Sequence, residues 1–182
     1  MTTKVKSELM DEAAVRRSLA RMTHEIIEKN KGAEKLCLVG IRRRGLPIAE
    51  QLAANIARFE GVEVPVGSVD VTLYRDDLTQ TVDIPTASAV QIPADVRTHT
   101  VILVDDVIYT GRTARAAIEA VFTRGRPSVI QLAVLIDRGH RELPIRPDFV
   151  GKSIPTARDE IVQVMMDEYD GMTAVRILEK EK

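Results

Sequence analysis

Between Asp11 and Gly32 the apolar residues Val15, Leu19, Met22 and Ile26 recur three or four positions apart, the spacing of one helix face. Asp11 precedes that pattern as an N-cap, and Gly32 follows the polar stretch Glu28-Lys29-Asn30-Lys31 as a stop, so an amphipathic helix is predicted between them. The pattern then changes. Leu36 to Ile41 is an unbroken apolar run too short for a helix and reads as a buried strand. The basic loop Arg42-Arg43-Arg44-Gly45 follows it, and then a second helix from about Pro47 to Arg58. Val64 to Tyr74 is again rich in strand formers, whereas Arg75 to Pro93 is polar, acidic, punctuated by proline and without period. A mobile loop is expected there.

The second half repeats the alternation. Val101-Ile102-Leu103-Val104 is a continuous strand-forming run ending in Asp105-Asp106, and a helical pattern returns from Arg112 to Phe122 through Ala116, Ala117, Ala120 and Val121. Gly125-Arg126-Pro127 turns the chain into another buried strand, Val129 to Ile136. Shorter strands are predicted near Phe149-Val150, over Ile161 to Met165 and over Ala174 to Leu178. Apolar strands alternating with helices imply an α/β fold: a central, mainly parallel sheet flanked by helices on both faces. Sites in such folds are built from loops at the carboxyl ends of strands, where the basic loop and the acidic pair both fall.

Composition narrows the function. At 182 residues the chain is read as one domain spanning 1–182. Lys and Arg total 26 against 27 Asp and Glu, a net charge of −1, so polyanion binding through bulk positive charge is excluded and any basic surface is local. Aromatics are 3% with no Trp, which removes an extended platform for stacking single-stranded bases. Cys37, the single cysteine, lies in an apolar run and reads as a buried small hydrophobe. The start Met1-Thr2-Thr3-Lys4-Val5-Lys6 lacks the apolar segment of a secretory signal and no run is long enough for a membrane span, so a cytoplasmic protein without a membrane partner is expected.

The chemistry concentrates in Asp105-Asp106-Val107-Ile108-Tyr109-Thr110-Gly111-Arg112-Thr113. The hydroxyls of Thr110 and Thr113, with successive backbone N–H groups at a helix start, can surround a phosphate monoester, and Gly111 permits the tight approach. The adjacent carboxylates can accept hydrogen bonds from vicinal ribose hydroxyls and favour a metal-bound or positively polarised sugar. Read without a partner, the same segment is a capped strand-to-helix turn with solvated acids, a costly ending for so apolar a strand.

Val101 to Thr113 resembles the thirteen-residue signature of the type I phosphoribosyltransferases. That resemblance implies a reaction in which a nitrogenous base displaces pyrophosphate from C1 of phosphoribosyl pyrophosphate with Mg²⁺ present, through a transition state like an oxocarbenium ion. Asp105, Asp106 and Arg75 would then be catalytic, and Tyr109, Thr110, Gly111, Arg112 and Thr113 would bind substrate. Gly40-Ile41-Arg42-Arg43-Arg44-Gly45 falls where the family has its pyrophosphate loop, so Ile41, Arg42, Arg43 and Arg44 are substrate-binding candidates suited to a multiply charged leaving group. The segment after Thr72-Leu73-Tyr74-Arg75 resembles the family's closing loop, with Arg75 adding positive charge to the pyrophosphate while water is excluded. No residue is assigned as a direct protein ligand to the metal.

The donor signature leaves the acceptor base open. Members acting on 6-oxopurines generally carry aspartate immediately before the Thr-Gly, where this chain has Tyr109, which disfavours hypoxanthine and guanine. The segment from Asp137 to Lys152, taken with the other motifs, resembles the bacterial pyrimidine-operon regulators that are also uracil phosphoribosyltransferases, over about Leu9 to Leu178. This implies conversion of uracil to UMP, with residues 137–160 as a small hood over the base and Arg138, Phe149 and Val150 as base-side contacts. It also implies UMP-responsive binding of pyrimidine operon leader mRNA and assembly as a homodimer or higher homo-oligomer. On the first helix Arg17, Arg21 and His24 lie opposite the apolar stripe at about 100° per residue, forming a local basic face for RNA phosphates that Arg141 and Arg146 extend. Salvage of another base, and an RNA regulator with vestigial catalysis, remain as alternatives.

Overall fold

The computed structural model describes residues 3–72 and 89–180. In chain order its elements are β1 (Thr3–Met10), α1 (Glu12–Asn30), β2 (Leu36–Ile41), α2 (Gly45–Glu60), β3 (Val66–Val69) and β4 (Val90–Gln91). They continue with β5 (Thr100–Ile108), α3 (Arg112–Phe122), β6 (Val129–Asp137), β7 (Phe149–Ser153), β8 (Ile161–Met165), α4 (Asp167–Asp170) and β9 (Ala174–Lys180). Six strands form the main sheet in the order β4-β3-β2-β5-β6-β7, parallel except for the antiparallel β4 at one edge.

The unbroken apolar runs are explained by two cores, one on each face of that sheet. Leu36, Leu38, Ile102, Val104, Ala133 and Leu135 point to the stripe of α1 and to Ile48, Leu52 and Ile56 of α2. Their neighbours Cys37, Val39, Val101, Leu103, Leu132 and Val134 point to Ala116, Ala117, Ala120 and Val121 of α3. A strand buried on both faces has no polar phase, hence its continuous hydrophobicity.

The helix signals held at both ends of α1. The Asp11 side chain accepts from the Ala14 N–H at 2.8 Å, and Lys31 takes a left-handed conformation before Gly32. Differences arise where contacts outweigh local pattern. β5 runs past Val104 to Ile108, because Asp105, Val107 and Ile108 stay in register with β6. α2 begins at Gly45, two residues before Pro47. Within the expected loop, Val90–Gln91 pairs with β3. β1 had no signal at all: its mostly exposed residues, three of them charged, join an antiparallel three-stranded sheet, β1-β9-β8, through pairing with β9 and the Lys4–Glu179 and Arg176–Glu8 ion pairs. That second sheet lies outside the 137–160 segment. Among the described residues no helix is long and apolar enough to cross a membrane.

Candidate active site

The basic loop after β2 and the end of β5 meet, because the two strands are hydrogen-bonded neighbours in the sheet. Two adjoining cavities result. One, of about 360 Å³, has Ile41, Arg42, Arg43 and Arg44 on one wall and Asp105, Asp106 and Thr113 on the other. The second, of about 390 Å³, is formed by Tyr109, Thr110, Gly111, Arg112 and their neighbours, and shares Asp105, Val107 and Thr113 with the first. A larger concavity of about 530 Å³ opens at the β3–β4 edge but touches this constellation only through Arg42, so size does not mark the chemistry.

Glycine makes the approach possible. A Cβ on Gly40 would stand 2.4 Å from Leu46 Cα, and one on Gly45 would stand 2.3 Å from the Val104 carbonyl oxygen, so α2 presses against both strand ends only without side chains there.

At the acidic wall, Asp105 Oδ1 accepts from the Asp106 N–H at 2.9 Å and Asp106 Oδ1 from the Val107 N–H at 2.8 Å. Burial, and then the adjacent Asp106 carboxylate, push Asp105 well above the usual carboxylate range. A cationic partner would relieve both effects. Beyond the acids, Gly111 adopts φ +95° as the N-cap of α3, which has no side-chain cap, so its first N–H groups face no competing carboxylate of their own. The Thr110 hydroxyl accepts from the Arg112 N–H at 3.3 Å. The turn is backed by the following loop: the N–H groups of Glu142 and Leu143 donate to the Thr110 carbonyl at 2.9 and 3.1 Å.

The basic loop is held through side chains. Arg42 Nε donates to Ser68 Oγ at 3.2 Å. Arg43 lies over the Tyr169 ring, 5.0 Å from its centre. Arg44 makes a two-pronged bond to Asp170, at 3.2 Å from Nε and 2.8 Å from Nη2. This hydrogen-bonded pairing raises the Arg44 pKa and holds the Asp170 carboxyl below its ordinary value. Tyr169 and Asp170 come from α4 and were missed; the only trace in the sequence is the acidic stretch Asp167-Glu168-Tyr169-Asp170, which reads as a solvated turn.

Several expected contacts are placed differently. Phe149 is 3% exposed within the α1-side core, with Lys29 Nζ 5.5 Å over its ring, and neither it nor Val150 lines the two cavities. Strand alternation turned that ring inward. Arg138 is also buried: Nε donates to Thr156 Oγ1 and Nη2 to the Ala157 carbonyl, both at 3.1 Å, while its guanidinium lies 4.0 Å from the centre of the Tyr109 ring. It stands behind Tyr109 and braces it. Arg141, expected on an RNA face, is instead a partly buried brace, donating to the Tyr109 carbonyl at 2.7 Å and to both Asp137 oxygens at 2.9 and 2.7 Å. Arg75 lies outside the described residues.

On α1, Arg17 and Arg21 line a shallow cavity with Ser18 and Lys152. Arg21 also donates to the Gly151 carbonyl at 2.5 Å and pairs with Glu25 at 2.7 Å, and His24 stacks on Phe59 at 4.4 Å. Arg146 is exposed. The basic face therefore exists, but two of its three helix residues are tied to neighbouring elements.

A family model described as the phosphoribosyl transferase domain matches residues 6–169. The chain is 59% identical over 175 residues to the Bifunctional protein PyrR of Clostridium perfringens (strain 13 / Type A), covering 96% of this chain and 98% of the relative. It is 57% identical over 177 residues to the Bifunctional protein PyrR of Thermoanaerobacter pseudethanolicus, covering 97% and 99%. Its fold is similar to a hypoxanthine phosphoribosyltransferase from Trypanosoma cruzi in a ternary substrates complex, with a TM-score of 0.76, 22% identity and 96% of both chains covered.

Proposed function

The chain belongs to the phosphoribosyl transferase family, and from that premise we propose that it transfers the phosphoribosyl group of phosphoribosyl pyrophosphate to uracil, giving UMP and pyrophosphate, and that it binds pyrimidine operon leader RNA in response to UMP. The observation that carries the catalytic half is the shared wall of the two cavities: Asp105 stands between a phosphate-shaped turn and a basic loop. A ribose carrying a 5-phosphate at one end and a diphosphate at C1 has that distribution of charge.

In this reading Thr110, Thr113 and the first N–H groups of α3 hold the 5-phosphate. Asp105 and Asp106 accept from the ribose hydroxyls and stabilise the positive charge that develops as the C1–O bond to the diphosphate breaks and the bond to the base nitrogen forms. Arg42, Arg43 and Arg44 receive the negative charge of the leaving group. Tyr109, braced from behind by Arg138, walls the base side, where the 137–160 segment serves as the hood. Mg²⁺ fits this donor set, since the Asp105 and Asp106 carboxylates adjoin the cavity in which the diphosphate would lie. When bound it neutralises diphosphate charge.

The regulatory half rests on the relatives' designation as bifunctional and on the Arg17, Arg21 and Lys152 surface. Comparing turnover of uracil, hypoxanthine, guanine and xanthine tests the base: uracil should dominate, and a preferred purine would refute it. A filter-binding titration of leader RNA, with and without UMP, tests the regulator; affinity insensitive to UMP would remove that half.

A further inference from the structure

In the cavity wall built by the basic loop, Arg44 already has an anionic partner within the chain. Asp170 Oδ1 accepts from Arg44 Nη2 at 2.8 Å, and Asp170 Oδ2 accepts from Arg44 Nε at 3.2 Å and from the Met166 N–H at 2.8 Å. A carboxylate gripping a guanidinium by both oxygens presents the same planar pair of acceptors that a phosphate presents. The neighbouring residue repeats the arrangement, since Tyr169 covers Arg43 with its ring face. Thus α4, carried on the β8–β9 connection of the second sheet, engages two of the three loop arginines, and these arginines line the same cavity as Asp105 and Asp106.

The pair is neither a deep core bridge nor a loose surface contact: the side chains are 34% and 18% exposed for Arg44 and Asp170. Such a pair is weak enough to exchange partners and close enough to compete. A bound diphosphate brings more negative charge to Arg44 than one carboxylate holds, and it places that charge beside Asp170. Both effects favour release of Asp170 from Arg44.

Building on the reading of this loop as the diphosphate site, we propose that Asp170 is an internal competitor for that site: its carboxylate occupies Arg44 until the substrate's diphosphate displaces it, with Tyr169 holding Arg43 in the same way. The substrate class that opens the contact is a diphosphate ester or free pyrophosphate. A phosphate monoester bound at the Thr110–Thr113 turn leaves the contact closed. Diphosphate occupancy at one end of the site is thereby reported to the second sheet, through α4.

The test is a calorimetric titration of inorganic pyrophosphate and of UMP against the full chain and its Asp170→Asn, Asp170→Glu, Tyr169→Ala and Arg44→Gln variants, with and without Mg²⁺. Asp170→Asn should tighten pyrophosphate binding by about two- to fivefold, the scale of a partly exposed ion pair, and leave UMP affinity unchanged. Asp170→Glu, which keeps the charge, should stay near wild type, and Tyr169→Ala should tighten pyrophosphate less than Asp170→Asn. Weaker pyrophosphate binding in Asp170→Asn would overturn the proposal, making Asp170 a group that positions Arg44; weakening seen only with Mg²⁺ would overturn it by making Asp170 a metal-facing carboxylate. Should Asp170→Asn unfold, as judged by circular dichroism, Tyr169→Ala decides alone, and unchanged or weaker binding there refutes the competition. Arg44→Gln separates the two levels. If it leaves pyrophosphate affinity unchanged, the loop is not the diphosphate site and the underlying reading fails; if it weakens binding while Asp170→Asn tightens nothing, only the competition fails.

Discussion

The turn after β5 and the loop after β2 form facing walls of one site, yet they are held by different means. The turn is braced mainly through its backbone: the N–H groups of Glu142 and Leu143 and the Arg141 guanidinium bond to the Thr110 and Tyr109 carbonyls, while the Asp106 and Val107 N–H groups bond to the Asp105 and Asp106 carboxylates. The loop is braced by side chains from elsewhere in the chain, with Ser68, Tyr169 and Asp170 each holding one arginine. Backbone bracing survives most side-chain changes and fixes a geometry; side-chain bracing can exchange partners. A rigid cradle therefore faces an adjustable clamp, which suits a reaction that retains the 5-phosphate and expels the diphosphate.

The largest effect expected from breaking this comparison is on folding. Gly40→Ala drives a Cβ into Leu46 Cα, backbone that cannot swing aside, and should cost about 3 kcal/mol in denaturant titration. A loss under about 1 kcal/mol would show that the loop wall relaxes as a whole. Gly111→Ala meets no atom nearer than 3.5 Å but must hold φ +95°, so it should cost less, about 1–2 kcal/mol.

Next comes chemistry. Asp105→Asn or Asp106→Asn should lower uracil transfer tenfold or more, about 1.4 kcal/mol or above in transition-state stabilisation. Near-normal turnover in both would remove the acids from the reaction. Thr110→Val should weaken UMP binding by about 1 kcal/mol, because it deletes a cradle hydroxyl while the backbone bonds to the Thr110 carbonyl remain. Unchanged UMP affinity would mean that backbone N–H groups alone hold the phosphate.

The smaller effects lie outside the turn. Arg17→Ala should leave transfer intact and flatten the salt dependence of leader-RNA binding by about 0.7–0.9 of slope for one phosphate contact. Arg21→Ala should disturb both functions, since Arg21 also bonds to the Gly151 carbonyl of β7. Equal behaviour of the two variants would dissolve that distinction. Smallest is a pH effect on the clamp: the Asp170 carboxyl is held below its unfolded value, so the pair contributes stability above about pH 4 and loses it as acid protonates the folded group. Asp170→Asn should flatten that acid limb in thermal unfolding, and an identical limb would show the pair to be energetically idle.

What was legible follows the same division. The local structure of the turn was legible because its parts are contiguous: strand, acids, Thr-Gly turn and helix lie between Thr100 and Phe122, and the helix bounds matched the periodicity. The arginine loop was found, but its state was not, since Asp170 and Tyr169 are distant in sequence and belong to a one-turn helix with no periodic signal. Whether Phe149 faced the core or the base was not legible, because two residues of strand do not reveal which face turns inward. The partners of Arg141 were not legible, because Asp137 and the Tyr109 carbonyl meet it only after β5 and β6 pair.

The amino-acid sequence by itself determined the alternation of buried strands and helices, because periodicity and adjacency are imposed residue by residue by local sterics and hydrophobic burial. The class of reaction was implied by the resemblance that Val101 to Thr113 carries. Tertiary structure alone decided that β1 joins β9, that Arg138 and Arg141 are braces, and that α4 reaches back to the basic loop. A charged side chain carries no mark of its partner until the fold brings the two within hydrogen-bond reach, and only then is it settled whether that charge meets water, a ligand or another part of the chain.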